Sequence, residues 1–176
     1  MVSKKAYRSN SLTLSEQELL LNVVTNYQDL VLFKLALTTG IRREDIVGIE
    51  LQGVNLEDDT LTFWEAKKKR FWTVPIHPEA KLEVQRYLKT IPKGQKKLFT
   101  FCGKTAYNHL QYYLKKAGIT KPISFHDLRR SFVKTARKKG LSPKAVSQIT
   151  GDSLHTIEEY YSNLDMDELQ EELNKL

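Results

Sequence analysis

Only one block of this chain, Thr60 to Ile76, is written for β structure. Thr60 to Trp64 and Phe71 to Ile76 are rich in β-branched and aromatic residues, and Glu65 to Arg70 joins them. This pattern predicts a hairpin with a long basic turn. Almost everything else is punctuated for helices. A chain so written can build a helical body with one small antiparallel sheet, but no sandwich, barrel or parallel sheet. The fold class expected is therefore mainly α with a hairpin, an α+β arrangement.

The helix signals are specific. Thr13 or Ser15 caps a helix to about Thr25, with Leu19, Leu20, Val23 and Val24 on its apolar side. Asp29 opens a second helix, Leu30 to Leu37, which is apolar nearly all round and belongs in the core; Gly40 ends it. A short helix follows over Arg43 to Ile49. Pro78 starts an amphipathic helix to about Lys89, with Leu82, Val84, Tyr87 and Leu88 as its apolar members. Lys104 to Lys116 is closed by Gly118. Ser124 and Asp127 form a capping-box pattern for a helix ending at Gly140. Ser142-Pro143 opens the next, ended by Gly151, and Thr156 to Asn163 and Asp165 to Asn174 complete the series. Residues 1–12 read as a flexible basic lead-in, 13–164 as one domain, and 165–176 as an acidic tail.

Charge narrows the partner. Lys and Arg number 28 against 21 Asp and Glu, a net of +7. The last twelve residues hold five acids and one lysine, a net of −4, which leaves +11 on the first 164. An anionic partner is favoured, nucleic acid before membrane. The single cysteine, Cys102, gives no disulfide framework and no Cys-rich zinc site, and fits a reducing intracellular setting. No apolar run is long enough to span a bilayer, and Met1-Val2-Ser3-Lys4-Lys5 lacks a signal-peptide core.

Four segments carry chemistry. In Phe125-His126-Asp127-Leu128-Arg129, His126 and Arg129 lie three apart on one helical face. An imidazole beside a guanidinium suits a phosphate: one moves protons, the other holds charge. In Thr39-Gly40-Ile41-Arg42-Arg43-Glu44-Asp45, Arg42 follows a helix-ending glycine and can clamp a phosphate bidentately, with Asp45 to orient it. An ordinary surface ion pair is the plain alternative. Lys67-Lys68-Lys69-Arg70 sits on the hairpin turn between Trp64 and Phe71, suited to a DNA backbone or to supplying a general acid; a solvated turn is the alternative. Tyr160-Tyr161 offers a covalent nucleophile, although at least one of the two is expected to be a packing aromatic. His109, Tyr112 and Tyr113 read as helix packing, and His77 and His155 are too isolated to be metal ligands. No Gly-rich nucleotide loop, nucleophile elbow or metal spacing is present.

Taken in order, Thr39-Gly40-Ile41-Arg42, the Lys67 hairpin, His126-Asp127-Leu128-Arg129, Ile149-Thr150-Gly151-Asp152-Ser153 and Tyr161 resemble the catalytic domain of the tyrosine recombinases, the phage-integrase family, from about Thr13 to Leu164. The resemblance implies the following roles. Arg42 and Arg129 bind the scissile phosphate, and Asp45 replaces a glutamate that supports the first arginine. Lys67 protonates the departing 5′ oxygen; counting back from Val74-Pro75 selects it, with Lys68 and Lys69 close by. His126 transfers the proton of the attacking oxygen. Tyr161 attacks, forming a 3′-phosphotyrosyl link, with Tyr160 the alternative nucleophile. Lys68, Lys69, Arg70, Arg43 and Arg130 face the DNA backbone. No metal or other cofactor is implied.

The chain departs from the family at Asp152, where a histidine or tryptophan usually hydrogen-bonds the phosphate. A carboxylate there repels the phosphate; His155, three residues on, is a substitute donor. The implied partner is double-stranded DNA with a specific site, bound by a homotetramer, the chain alone being monomeric and the acidic tail docking in cis or in trans. Members of the family usually carry a DNA-clamping domain ahead of this one, so the resemblance implies a fragment or a minimal form. Two alternatives remain: a type IB topoisomerase-like relaxing enzyme, and a catalytically weakened DNA-binding module.

Overall fold

A computed structural model of the chain describes residues 10–162 and 166–174, except the side chains of 161, 162, 167, 168, 171 and 172. The helices are α1 (Leu14–Val23), α2 (Tyr27–Thr39), α3 (Arg43–Val47), α4 (Pro78–Leu88), α5 (Gly103–Lys116), α6 (Phe125–Lys138), α7 (Pro143–Thr150), α8 (Leu154–Ser162) and α9 (Met166–Leu173). Three strands, β1 (Val54–Asn55), β2 (Thr60–Glu65) and β3 (Arg70–Pro75), form an antiparallel sheet in the order β1-β2-β3. The expected α+β architecture is the one found. The two-residue β1 carries too little pattern to be legible in sequence.

The sheet register explains what the hairpin presents. Phe63 pairs with Trp72 and Glu65 with Arg70 across β2 and β3. Strand side chains alternate between faces. Leu61, Phe63 and Glu65 are buried, while Trp64 and Phe71 are exposed and meet edge to face on the outside. A glutamate at the third inward position is therefore buried with the core residues.

Helix α2 is the central element. Val31, Leu32, Phe33 and Leu35 are fully buried in one large cluster that also takes in Leu20, Ile46, Leu61, Val84, Leu110 and Leu128. A second cluster of Phe132, Val133, Ala136, Val146 and Ile157 joins α6, α7 and α8. The lead-in does not stay loose to its end: Leu12 is buried and its N–H donates to Ser131 Oγ at 2.8 Å, pinning the chain to α6. In α4 the sequence places Leu82 on the apolar side, but it is 55% exposed, because the buried stripe runs through Ala80, Val84 and Tyr87 instead.

Gly40 must be glycine on two counts. It is left-handed (φ 63°), and a Cβ there would sit 2.7 Å from Phe132 Cδ1. That close approach lets α2 lie against α6 and brings their ends together.

Helix α6 starts where its capping box says. Ser124 Oγ accepts the Asp127 N–H at 3.4 Å, and Asp127 Oδ2 accepts the Ser124 N–H at 2.8 Å. Replacing Ser124 with alanine is expected to lower stability by about 1 kcal/mol. A urea midpoint that does not move would show that Asp127 alone holds the helix start.

Candidate active site

The site lies where the end of α2, the start of α6, the hairpin turn and the α7–α8 junction converge. Its electrostatic centre is a pair of guanidinium groups, and each is positioned by the local fold. Past Gly40, the Ile41 N–H donates to Thr39 Oγ1 at 3.3 Å and Ile41 itself is buried. The chain turns inward there, so Arg42 emerges at the N-cap of α3, where it reaches Glu65 and Asp152. Arg129 is only 3% exposed. Its Nη1 donates to the Gly40 carbonyl and its Nη2 to the Thr150 carbonyl at 2.7 Å, so two helix ends fix its plane. Burial pulls the Arg129 pKa below the usual guanidinium range, and the Asp152 charge opposes that pull.

One carboxylate, Asp152, bridges this pair, and a second, Glu65, supports Arg42. Arg42 Nη1 donates to Glu65 Oε1 at 2.8 Å, and Arg42 Nη2 to Asp152 Oδ1 at 2.8 Å. Arg129 Nε donates to Asp152 Oδ2 at 2.9 Å, with its Nη2 at 2.7 Å from the same oxygen. Glu65 also accepts from Arg70 Nε at 2.8 Å. Burial pushes the Glu65 carboxyl up, but the Arg70 and Arg42 hydrogen bonds outweigh it and hold the group below the usual carboxylate range. Glu65 is absent from the residues that sequence reasoning picks out. The signal was available: an acid at the inward position of a strand whose other inward residues are Leu61 and Phe63.

Asp45 lies in the same cleft as Arg42 and feels its charge, but its hydrogen bond goes to the hairpin. It is buried and accepts the Ala66 N–H at 3.1 Å, so it anchors the hairpin turn beside Lys67 rather than bonding Arg42. Burial raises its pKa, the Ala66 N–H opposing. The first arginine is held by Glu65 and Asp152 instead.

His126 lines the same cleft as the pair. Desolvation and then the Arg130 charge lower its pKa below the usual imidazole value, favouring a neutral ring. Its Nε2 lies 3.1 Å from the Tyr160 hydroxyl, and the two rings meet edge to face. Burial and then the Asp152 charge raise the Tyr160 pKa. Tyr160 also packs against the second apolar cluster, and the Arg130 guanidinium lies 5.4 Å from its ring centroid. Tyr161 belongs to α8, but its side chain lies outside the described residues.

Arg42, Asp45, Lys67, His126 and Arg129 line one cleft of about 500 Å³ together with Tyr107 and Phe125. Lys67 is exposed there, whereas Lys68 Nζ donates to the Gly151 carbonyl, closing the hairpin onto α7. Of the other expected backbone contacts, Arg70 lies 3.8 Å over the Trp72 ring and pairs with Glu65, Arg43 pairs with Glu44, and Arg130 pairs with Asp127. Lys69 takes the left-handed turn position, φ 51°. His155 is exposed in the first turn of α8, apart from the residues lining the cleft. His109 is bonded to Asp29 at 2.7 Å, away from the site.

The arrangement seats a carboxylate, an anion, between two guanidinium groups, with an imidazole and a tyrosine hydroxyl nearby and a lysine lining the same cleft. That is machinery for moving charge and protons around a phosphate.

A sequence model of the Phage integrase family matches residues 10–168. The chain is 24% identical over 174 residues to a protein of Pyrococcus horikoshii named tyrosine recombinase XerA, covering 94% of this chain and 60% of that protein. Among solved structures, that of a XerA recombinase superposes with a TM-score of 0.84 at 21% identity, covering 94% of this chain and 64% of that one. A XerH site-specific recombinase bound to its difH substrate gives 0.72 at 18% identity, covering 86% and 50%. The chain thus shares the fold of the matched parts of these structures and spans about 60% of the length of the Pyrococcus relative.

Proposed function

We propose, since this chain belongs to the phage integrase family, that it cleaves and rejoins double-stranded DNA at a specific site through a 3′-phosphotyrosyl intermediate. The observation that carries the reading is the convergence of Arg42 and Arg129 beside His126, with Lys67 in the same cleft. Each group has a step. The two guanidinium groups offset the charge that builds on the phosphorus in the transition state. The tyrosine oxygen bonds to phosphorus as its proton passes to His126, and the bond to the 5′ oxygen breaks as Lys67 supplies a proton. The phosphodiester energy stays in the protein–DNA link, so a second 5′ hydroxyl can reseal it.

Spacing from Gly151 supports Tyr161 as the attacker. The packing of Tyr160 against the second core cluster supports a fixed role for that ring. A second reading makes Tyr160 the nucleophile, and the bond of its hydroxyl to His126 favours it. Assembly on DNA is a tetramer in this reading. The exposed Met166, Leu169 and Leu173 of α9 support docking of the acidic tail on a neighbour's basic body.

The test is a pool of nicked duplexes with randomised flanks, incubated with the protein and run on a denaturing gel. A protease-sensitive covalent adduct is expected; its absence from the whole pool would leave the DNA-binding-module reading. Relaxation of a supercoiled plasmid that lacks any site enriched from the pool would favour the topoisomerase reading.

A pH profile gives a second check. His126 must be neutral to take the proton, and its pKa lies below the usual imidazole value of about 6.5. The adduct rate is therefore expected to be flat near neutrality and to fall only as pH drops through that lowered pKa. A knee above 6.5 would exclude His126 as the base.

A further inference from the structure

The carboxylate of Asp152 stands where an anion between Arg42 and Arg129 would stand. Oδ1 accepts from Arg42 Nη2 at 2.8 Å, and Oδ2 accepts from Arg129 Nε at 2.9 Å and lies 2.7 Å from Arg129 Nη2. A carboxylate and a phosphodiester each offer two oxygens sharing one negative charge, so both fit one pair of guanidinium forks. Counting Arg70, which shares Glu65, three guanidinium groups meet two carboxylates, so Asp152 cancels part of the positive charge that an incoming phosphate would meet.

The two acids are not equivalent. The Glu65 side chain is 2% exposed and is also held by Arg70, so it is a permanent support. The Asp152 side chain is 11% exposed. Its backbone is fixed: its N–H donates to Thr150 Oγ1 at 3.2 Å, and its carbonyl accepts from Ser147 Oγ at 2.6 Å. A single rotation about its Cα–Cβ bond can swing the carboxylate out while the loop after Gly151 stays in place.

We propose that Asp152 is an internal occupant of the phosphate seat: it closes the Arg42–Arg129 pair in the free protein and must be displaced when a phosphodiester enters. The inference rests on the phosphate-binding role assigned to those arginines. It recasts the departure at Asp152 as an autoinhibitory contact. The affinity measured for any phosphate is then the intrinsic affinity reduced by the fraction of molecules with the seat open.

Asp152→Asn keeps the size and removes the charge. Titrated with inorganic phosphate by calorimetry, it is expected to bind at least about tenfold tighter than the wild type, since a like charge leaves the seat. The melting temperature without phosphate should fall, and phosphate should raise it more than in the wild type. Asp152→Glu, which keeps the charge, should stay at the weak wild-type affinity. Adding Arg42→Ala to Asp152→Asn should remove the gain. Equal or weaker phosphate binding in Asp152→Asn would overturn the proposal, because a merely structural aspartate loses binding along with stability.

If Asp152→Asn fails to fold, Asp152→Ser and the wild-type melting curve in rising phosphate replace it. A wild-type shift as large as that of a folded neutral variant sinks the idea. Tight phosphate binding by Asp152→Asn with no DNA adduct from any variant would uphold the seat and reject the recombinase reading. An adduct from the wild type without tighter binding by Asp152→Asn would do the reverse.

Discussion

Arg129→Ala is expected to abolish adduct formation and to cost about 3–5 kcal/mol of folding stability, the usual penalty for removing one partner of a buried ion pair. The size follows from where the side chain sits. Arg129 is 3% exposed and holds the Gly40 and Thr150 carbonyls and the Asp152 carboxylate. Without it, two helix-end carbonyls lose their donor, and Asp152 keeps only Arg42 of its two guanidinium partners. Losing one such donor in the transition state lowers a rate about 100- to 1,000-fold, and here the donor and the fold around it go together. Arg129→Lys should restore some stability but little activity, because an ammonium is a point charge that cannot replace the planar fork. Thermal melts and adduct yields measured on both variants check this. An alanine variant as stable as the wild type would show that the carbonyls of Gly40 and Thr150 find other donors.

Much of this arrangement was legible in the chain because it is written locally. The α6 start is read from Ser124 and Asp127, since a capping box spans only four residues. Gly40 and Gly151 end α2 and α7 in the left-handed conformation, as a helix-ending glycine usually does. His126 and Arg129 share a face by helical spacing alone. What was not legible depends on register and on which elements meet. Glu65 becomes a partner of Arg42 only because its strand turns it inward and α3 stands behind it. Asp45 falls three residues after Arg42, which invites a pairing between them, yet the turn of α3 directs it to the Ala66 N–H of the hairpin. The ion pairs of Asp152 cross 110 positions to Arg42 and 23 to Arg129. A charge at such a position reads as an anomaly in a motif; only the packed site gives it the two cations that make it a plug.

Tyr161→Phe is expected to remove the covalent adduct entirely, while Tyr160→Phe lowers its rate and leaves its yield. Two hydroxyls on adjacent residues compete for the attack. Successive helical residues project about 100° apart, so one helix end presents only one of them to the phosphate at a time. The Tyr160 ring is wedged against the cluster of Phe132, Val133, Ala136, Val146 and Ile157, beneath the Arg130 guanidinium. A nucleophile becomes covalently tied to a DNA end that must then move, and a ring so packed is poorly suited to that. Its hydroxyl is better read as a partner that steadies His126, 3.1 Å away. Its loss should then alter the pH knee of the adduct rate, which a mere packing defect would not do. Burial also raises the Tyr160 pKa, which makes its hydroxyl harder to ionise than an ordinary phenol. Sequencing the DNA-linked peptide from the wild type decides the matter directly. A linkage at Tyr160, with adduct formed by Tyr161→Phe and not by Tyr160→Phe, would transfer the attack to the residue already bonded to the base.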